Sequence, residues 1–248
     1  GPFSESLNKA EPKGLGSEDV TEEQAKQIAL KFLGTDYVQN IAKSSEGNGK
    51  IKTWGFDGQT KKGGKAFSIH ITKKGGQVLW MVENSGNLTR KLSVDQCTQK
   101  AQIFLKEKGY PNMIATYTQY YDGVAVINFA GRLGETIVYP DLIKVKVSME
   151  DGRIIGYDAQ NYIMSHTQRT VREPKLSKEE AQSLVSGNLK VTSVRLAIIP
   201  TETRGEKLCY EFKGTFGGDN FIVYINADTG KEESILKIID TENGSLVL

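Results

Sequence analysis

The feature that most constrains this chain is a helix-opening pattern written three times. Val20-Thr21-Glu22-Glu23-Gln24-Ala25, Leu92-Ser93-Val94-Asp95-Gln96-Cys97 and Leu176-Ser177-Lys178-Glu179-Glu180-Ala181 each set a Thr or Ser where its hydroxyl can accept from the free amides of a first helical turn. Three residues on, each has a Gln or Glu whose side chain can reach back to the amide of the cap. An apolar residue precedes each cap and a small apolar one follows four positions after it, which fixes the entry of the chain into the helix. One such pattern is a common accident. Three of them mark an internal repeat.

Helical spacing follows each opening. Ala25, Ile28, Ala29, Phe32 and Leu33 form a stripe that Gly34 ends; Cys97, Ala101, Phe104 and Leu105 form another, with Gly109 and Pro111 beyond it. The third is shorter, Ala181, Leu184 and Val185 before Gly187. A short helix alone does not hold in water, so each stripe is expected to pack on a sheet of its own. Alternating β-branched and aromatic residues supply those sheets. The runs Val78-Leu79-Trp80-Met81-Val82, Ile143-Lys144-Val145-Lys146-Val147 and Phe221-Ile222-Val223-Tyr224-Ile225 each precede a Gly-containing turn and are read as equivalent strands. Hairpin tips are predicted at Lys62-Gly63-Gly64, Lys74-Gly75-Gly76, Asp122-Gly123 and Gly217-Gly218-Asp219, where glycine supplies the positive φ a tight turn demands. The predicted fold is α+β: three tandem modules over 20–90, 91–170 and 171–248, each one helix packed on an antiparallel sheet of about four strands. Residues 1–19 read as a linker behind an expression-tag scar at Gly1-Pro2, with a membrane anchor expected further upstream.

Charge narrows the function. The 32 basic and 30 acidic side chains leave +2, without the excess on which a general nucleic-acid binder relies. No run of 18 apolar residues occurs in the sequence. The two cysteines, Cys97 and Cys209, are too few and too far apart for a disulfide scaffold and read as core packing.

Catalysis needs ionisable groups that converge, and the sequence offers little material for it. Its two histidines are His70, on the polar side of an alternating strand, and His166, in the connector after the second module. No nucleophile elbow, paired zinc histidines, phosphate-binding loop or Cys-x-x-Cys occurs, so no catalytic, cofactor or metal residue is assigned. Lys61, Lys62, Lys65, Lys73 and Lys74 form a basic run that could meet an anionic polymer such as peptidoglycan, or simply guard a sheet edge. The richest interaction segment lies between Tyr157 and Arg172, where a bland linker is expected. Tyr157, Tyr162, His166, Arg169 and Arg172 are the partner-binding candidates, set against packing on the neighbouring module.

A capped helix, then an antiparallel meander with a terminal Asp-Gly or Asp-Thr-Gly hairpin, resembles the PepSY domain family. The resemblance is sharpest in Tyr139-Pro140-Asp141-Leu142-Ile143, in the stretch from Gly156 to His166, in Tyr210-Glu211-Phe212-Lys213-Gly214 and from Val223 to Ile239. These stretches are similar to the PepSY-bearing germination proteins of spore-forming bacteria. The resemblance implies a non-enzymatic protein at the spore inner membrane, on its cortex-facing side, held by an N-terminal anchor. It further implies a partner, the cortex-lytic enzyme SleB, a peptidoglycan lytic transglycosylase that such a protein stabilises, localises or regulates. PepSY domains also precede certain metallopeptidases, which gives the alternative of a propeptide-like inhibitor or chaperone.

Overall fold

A computed structural model describes residues 11–170, 172–202, 205–241 and 243–247. Gly1-Pro2, expected to be a tag scar, and the start of the predicted linker lie outside them. The chain begins with α1 (Glu22–Leu33) and the strands β1 (Val38–Asn48), β2 (Lys52–Thr60), β3 (Ala66–Thr72) and β4 (Val78–Glu83). There follow α2 (Val94–Glu107), β5 (Met113–Tyr121), β6 (Val124–Leu133), β7 (Thr136–Ser148), β8 (Ile154–Asp158) and the short α3 (Gln160–Ser165). Last come α4 (Lys178–Gln182), β9 (Lys190–Pro200), β10 (Glu206–Phe216), β11 (Asp219–Asn226), β12 (Glu232–Thr241) and β13 (Gly244–Val247).

All three predicted helix starts form by the anticipated chemistry. Thr21 Oγ1 accepts from the Gln24 amide at 3.1 Å while Gln24 Oε1 accepts from the Thr21 amide at 2.9 Å. Ser93 with Gln96 and Ser177 with Glu180 repeat the exchange. The third helix stops at Gln182, short of the predicted stripe, and leaves Leu184 exposed. Each predicted glycine hairpin tip joins two paired strands; at Asp122-Gly123 both residues have positive φ, 52° and 75°, as a type I′ turn requires.

Two expectations are corrected. The run Val78–Val82 is the last strand of its meander, so it matches β8 and β12 in strand order; the strand equivalent to β7 and β11 is β3. More important, three separate sheets do not form. The strands make one thirteen-stranded sheet in the order β1-β2-β3-β4-β8-β7-β6-β5-β13-β12-β11-β10-β9. The cause is the polar margin that any sheet exposes: unpaired N–H and C=O groups at one edge are satisfied by the next. β4 pairs antiparallel with β8 through Trp80↔Asp158, Met81↔Tyr157 and Val82↔Gly156. β13 meets β5 at Gly244↔Gln119, and β7 pairs in parallel with β9 at Ile137↔Ala197 and Val138↔Ile198. That last contact closes β5, β6, β7, β9, β10, β11, β12 and β13 into a ring.

The cores follow this joining. One cluster lies under both α1 and α2 and includes Ala25, Ala29, Phe56, Cys97, Leu105, Phe129 and Ile163. Phe32 of α1 meets Phe104 of α2 edge-on at 5.5 Å, so the two helices share a core. A second cluster gathers Ala130, Ile137, Tyr139, Ala197, Ile199, Cys209, Ile222 and Tyr224 from strands of the ring, and α4 covers a third with Ala181, Phe212 and Ile225. Residues 11–19 do not run free as a linker. Lys13 and Gly14 amides donate to Met164 and Ile163 carbonyls at 3.1 and 2.8 Å, and a Cβ on Gly16 would lie 2.6 Å from Gly75 Cα, so a bare backbone is needed for this strap.

Candidate partner-binding site

The segment marked as a connector is built, not loose. Asp158 Oδ1 accepts from the Gln160 amide at 2.9 Å and turns the chain into α3, which buries Ile163 and Met164 against the sheet. This helix was not foreseen, because six residues carry too little periodicity to read; the local signal was the Asp set two residues before it.

The five candidate side chains have different fates. Tyr157 is 3% exposed, and its ring meets Phe32 at 5.0 Å and Phe104 at 6.0 Å. It belongs to the core shared by α1 and α2 and offers nothing to a partner. Tyr162 is half-buried, stacks on the His166 imidazole at 4.6 Å with planes 13° apart, and takes Tyr110 edge-on at 5.0 Å. Burial and the nearby Asp141 carboxylate push its phenol above the usual range. His166 is nearly half exposed, with Nδ1 2.7 Å from Asp141 Oδ2.

Arg169 is almost buried and holds two carboxylates at once. Its guanidinium donates to Asp141 Oδ2 and Oδ1 at 2.9 and 3.0 Å and to Glu206 Oε2 and Oε1 at 2.9 and 2.7 Å. It also donates to the carbonyls of Ser165 and Thr167. Arg172 forms a second fork, to Asp228 at 2.8 and 2.6 Å, on the surface. Asp141 and Glu206 were absent from the sequence-based set. Asp141 reaches this position because the β6–β7 register breaks between Ala130↔Leu142 and Gly131↔Val138, bulging Tyr139, Pro140 and Asp141 out of the ladder.

Tyr162, His166 and Arg169 therefore converge on one carboxylate, beside a cleft of about 330 Å3. The turn at Gly109–Met113, the β6–β7 hairpin with Arg132, and the end of α3 form its walls. Arg169 separates it from a smaller cleft of about 190 Å3 that reaches Arg172 and Lys207.

Elsewhere the groups singled out from sequence are spent on structure. Lys61, Lys62 and Lys65 lie at one end of β3 and Lys73 and Lys74 at the other, so the basic run is not one face; Lys65 Nζ donates to the Ser85 carbonyl at 2.6 Å and Lys73 pairs with Glu46. His70 Nδ1 lies 2.7 Å from Thr53 Oγ1, and its ring stacks on Trp80 at 4.3 Å. Both cysteines are buried free thiols. Among the described residues, no group of three or more His, Cys, Asp or Glu is placed to hold a metal ion.

The sequence matches two families, one described as "YpeB sporulation, PepSY1 and PepSY2 domains" over residues 1–172 and one as "Peptidase propeptide and YPEB domain" over 175–236. It is 32% identical to the sporulation protein YpeB of Bacillus subtilis, over 94% of this chain and 53% of that protein. To the sporulation protein YpeB of Halalkalibacterium halodurans it is 31% identical, over 93% of this chain and 51% of that one. The chain spans about half the length of the curated relatives it matches. The solved Bacillus megaterium YpeB C-terminal domain superposes with a TM-score of 0.76 at 34% identity, covering 89% of this chain and 99% of that one. With the family match running through most of the sequence and the fold shared at that level, the chain belongs to the YpeB family of PepSY-domain proteins.

Proposed function

We propose that this chain is the non-catalytic, partner-binding part of a sporulation and germination protein that docks on a SleB-like cortex-lytic hydrolase and stabilises, localises or regulates it. The observation that carries this reading is membership of a family whose relatives are named sporulation protein YpeB. The side chains suited to chemistry support it. Asp141 and Glu206 are gripped by Arg169, Glu83 by Arg153 and Glu211 by Arg195, which fixes them as struts. Tyr162 and His166 keep exposed surface at α3, Arg172 keeps it at its fork with Asp228, and the three form the docking candidate.

The longer protein would be held at the spore inner membrane, facing the cortex, by a segment beyond this chain, and peptidoglycan would be a secondary contact. Among the described residues no helix is long and apolar enough to cross a membrane. The division into modules at 20–90, 91–170 and 171–248 belongs to the same proposal, with each helix and its meander as a unit of one joined sheet. The test is co-purification of this chain with the hydrolase, both folded. Retention at micromolar concentration, weakened by Tyr162→Ala, supports the reading; no association at that concentration sinks it.

The second reading, a propeptide-like inhibitor or chaperone, has one observation behind it: the family matched by residues 175–236 is described by peptidase propeptides as well as YpeB. Inhibition of a secreted metalloprotease by the purified chain tests it.

A further inference from the structure

We propose that the cleft beside α3 binds a carboxylate on a peptide segment of a partner, held by the Arg132 guanidinium beside the His166 imidazole. This deepens the docking reading and rests on it for the identity of the partner; the capture of a carboxylate stands on the cleft itself.

Charge is the first argument. The charged groups lining the cleft are Arg132, Arg169 and Asp141, and the charge of Arg169 is spent on Asp141 and on Glu206 behind it. Arg169 has no donors to spare, since they serve Asp141, Glu206 and the Ser165 and Thr167 carbonyls. Arg132 is the opposite case. It is exposed on the rim, its amide donates to the Asn112 carbonyl at 3.0 Å and so fixes its strand against the turn, and its guanidinium makes no ion pair with any described residue. A planar guanidinium matches a carboxylate in a two-pronged fit.

The imidazole is the second. Asp141, gripped by Arg169, can only accept, so the hydrogen between it and His166 sits on Nδ1. Nε2 therefore points away from Asp141, and the stacked Tyr162 ring fixes the plane. A carboxylate in the cleft therefore meets an imidazole of fixed plane, whose ring signals report its arrival. The charged and titratable groups around the ring are Asp141 from β7, Tyr162 from α3, Tyr110 from the turn before β5, Arg169 from the connector and Arg132 from β6.

The lining also fits the chain attached to the carboxylate. Pro111, Met113, Leu133 and Val138 offer an apolar wall beside the cationic rim, which suits a peptide better than a bare inorganic anion.

The whole chain has two histidines, so ring NMR resolves His166 from His70 without further labelling. The titrants are N-acetyl-Ala-Ala with a free carboxylate, its C-terminal amide, N-acetyl-Glu amide and inorganic phosphate. A free C-terminus and an acidic side chain are told apart by which carboxylate peptide binds more tightly. Expected results are a shift of His166 but not His70 with either carboxylate peptide, none with the amide, and at least tenfold weaker binding in Arg132→Gln. Absence of a His166 response up to tens of mM, the range of a single weak contact, overturns the proposal. So do an equal response to the amide, phosphate binding more tightly than either peptide, or unchanged affinity in Arg132→Gln. Co-purification with the hydrolase that survives while the peptides fail removes the carboxylate site and leaves the docking reading; the reverse pattern does the opposite.

Discussion

Glu83 and Arg153 lie 70 residues apart in the sequence, yet Arg153 Nη2 donates to Glu83 Oε2 at 2.8 Å. Glu83 ends β4 and Arg153 sits in the turn before β8, so the pair bolts the seam where the first meander joins the second. Tyr37 Oη donates to the same carboxylate at 3.0 Å, and Ser85 Oγ donates as well. Burial opposes a charge here, but the hydrogen bonds and the charge of Arg153 prevail and hold Glu83 below the usual carboxylate range.

A folded-state value below the unfolded one means that the stabilisation is complete above the ordinary carboxylate pKa and is lost as pH falls through the folded value. The melting temperature should therefore decline once pH drops below about 4.3, the ordinary value for glutamate. Glu46, Asp151 and Glu233 are shifted the same way and add to the decline. Glu83→Gln should flatten part of it and lower stability at neutral pH by about 3 kcal/mol, because Arg153 loses its buried counter-charge. Calorimetry from pH 7 to pH 3 checks this; an acid profile identical in the variant contradicts it.

Arg169 holds Asp141 on β7 and Glu206 on β10, and its removal strands two carboxylates. Arg169→Gln should cost about 3 kcal/mol or more in urea unfolding. Arg169→Lys should recover only a minor part, since an ammonium cannot grip two carboxylates in parallel. Full recovery by lysine would show that geometry is unimportant there.

Inside the strand ring, Glu211 accepts from Tyr224 Oη at 2.7 Å, from Arg195 Nε at 2.7 Å and from Tyr139 Oη. Tyr139→Phe and Tyr224→Phe should each cost about 1.5–3 kcal/mol, the range for hydrogen bonds to a charged group. The double variant should fall short of the sum because both hydroxyls serve one carboxylate. Strict additivity in a double-mutant cycle would count against a shared network.

Burial pushes the Cys97 thiol up and the Cys209 thiol up to about 12. Neither supplies thiolate at pH 8, so the folded chain should resist a thiol reagent and take up two equivalents only in denaturant. Mass spectrometry after a timed pulse reads this. Rapid native labelling would mean that a core opens far more often than its packing suggests.

What could be read from sequence was local chemistry. Thr21, Ser93 and Ser177 cap through atoms three residues away, and Asp122-Gly123 turns through its own φ angles, so both were legible. The β4–β8 seam and the β7–β9 contact were not. Backbone groups make those joins, and every residue type carries the same backbone groups. The candidate site divided along the same line. Tyr162, His166 and Arg169 stood out by residue type, whereas their common anchor Asp141 depends on a bulge in β7, and Tyr157 was drawn into a core that exists only because α1 and α2 share it.

The sheet's outer boundary limits self-association. β1 carries one end of the strand order, and the other end, β9, folds back on β7. Among the described residues β1 is the one wholly open border, so two chains pairing through it would leave no such border for a third. Register breaks at Val38/Asn40 and Lys43/Ser45 hinder even that first step.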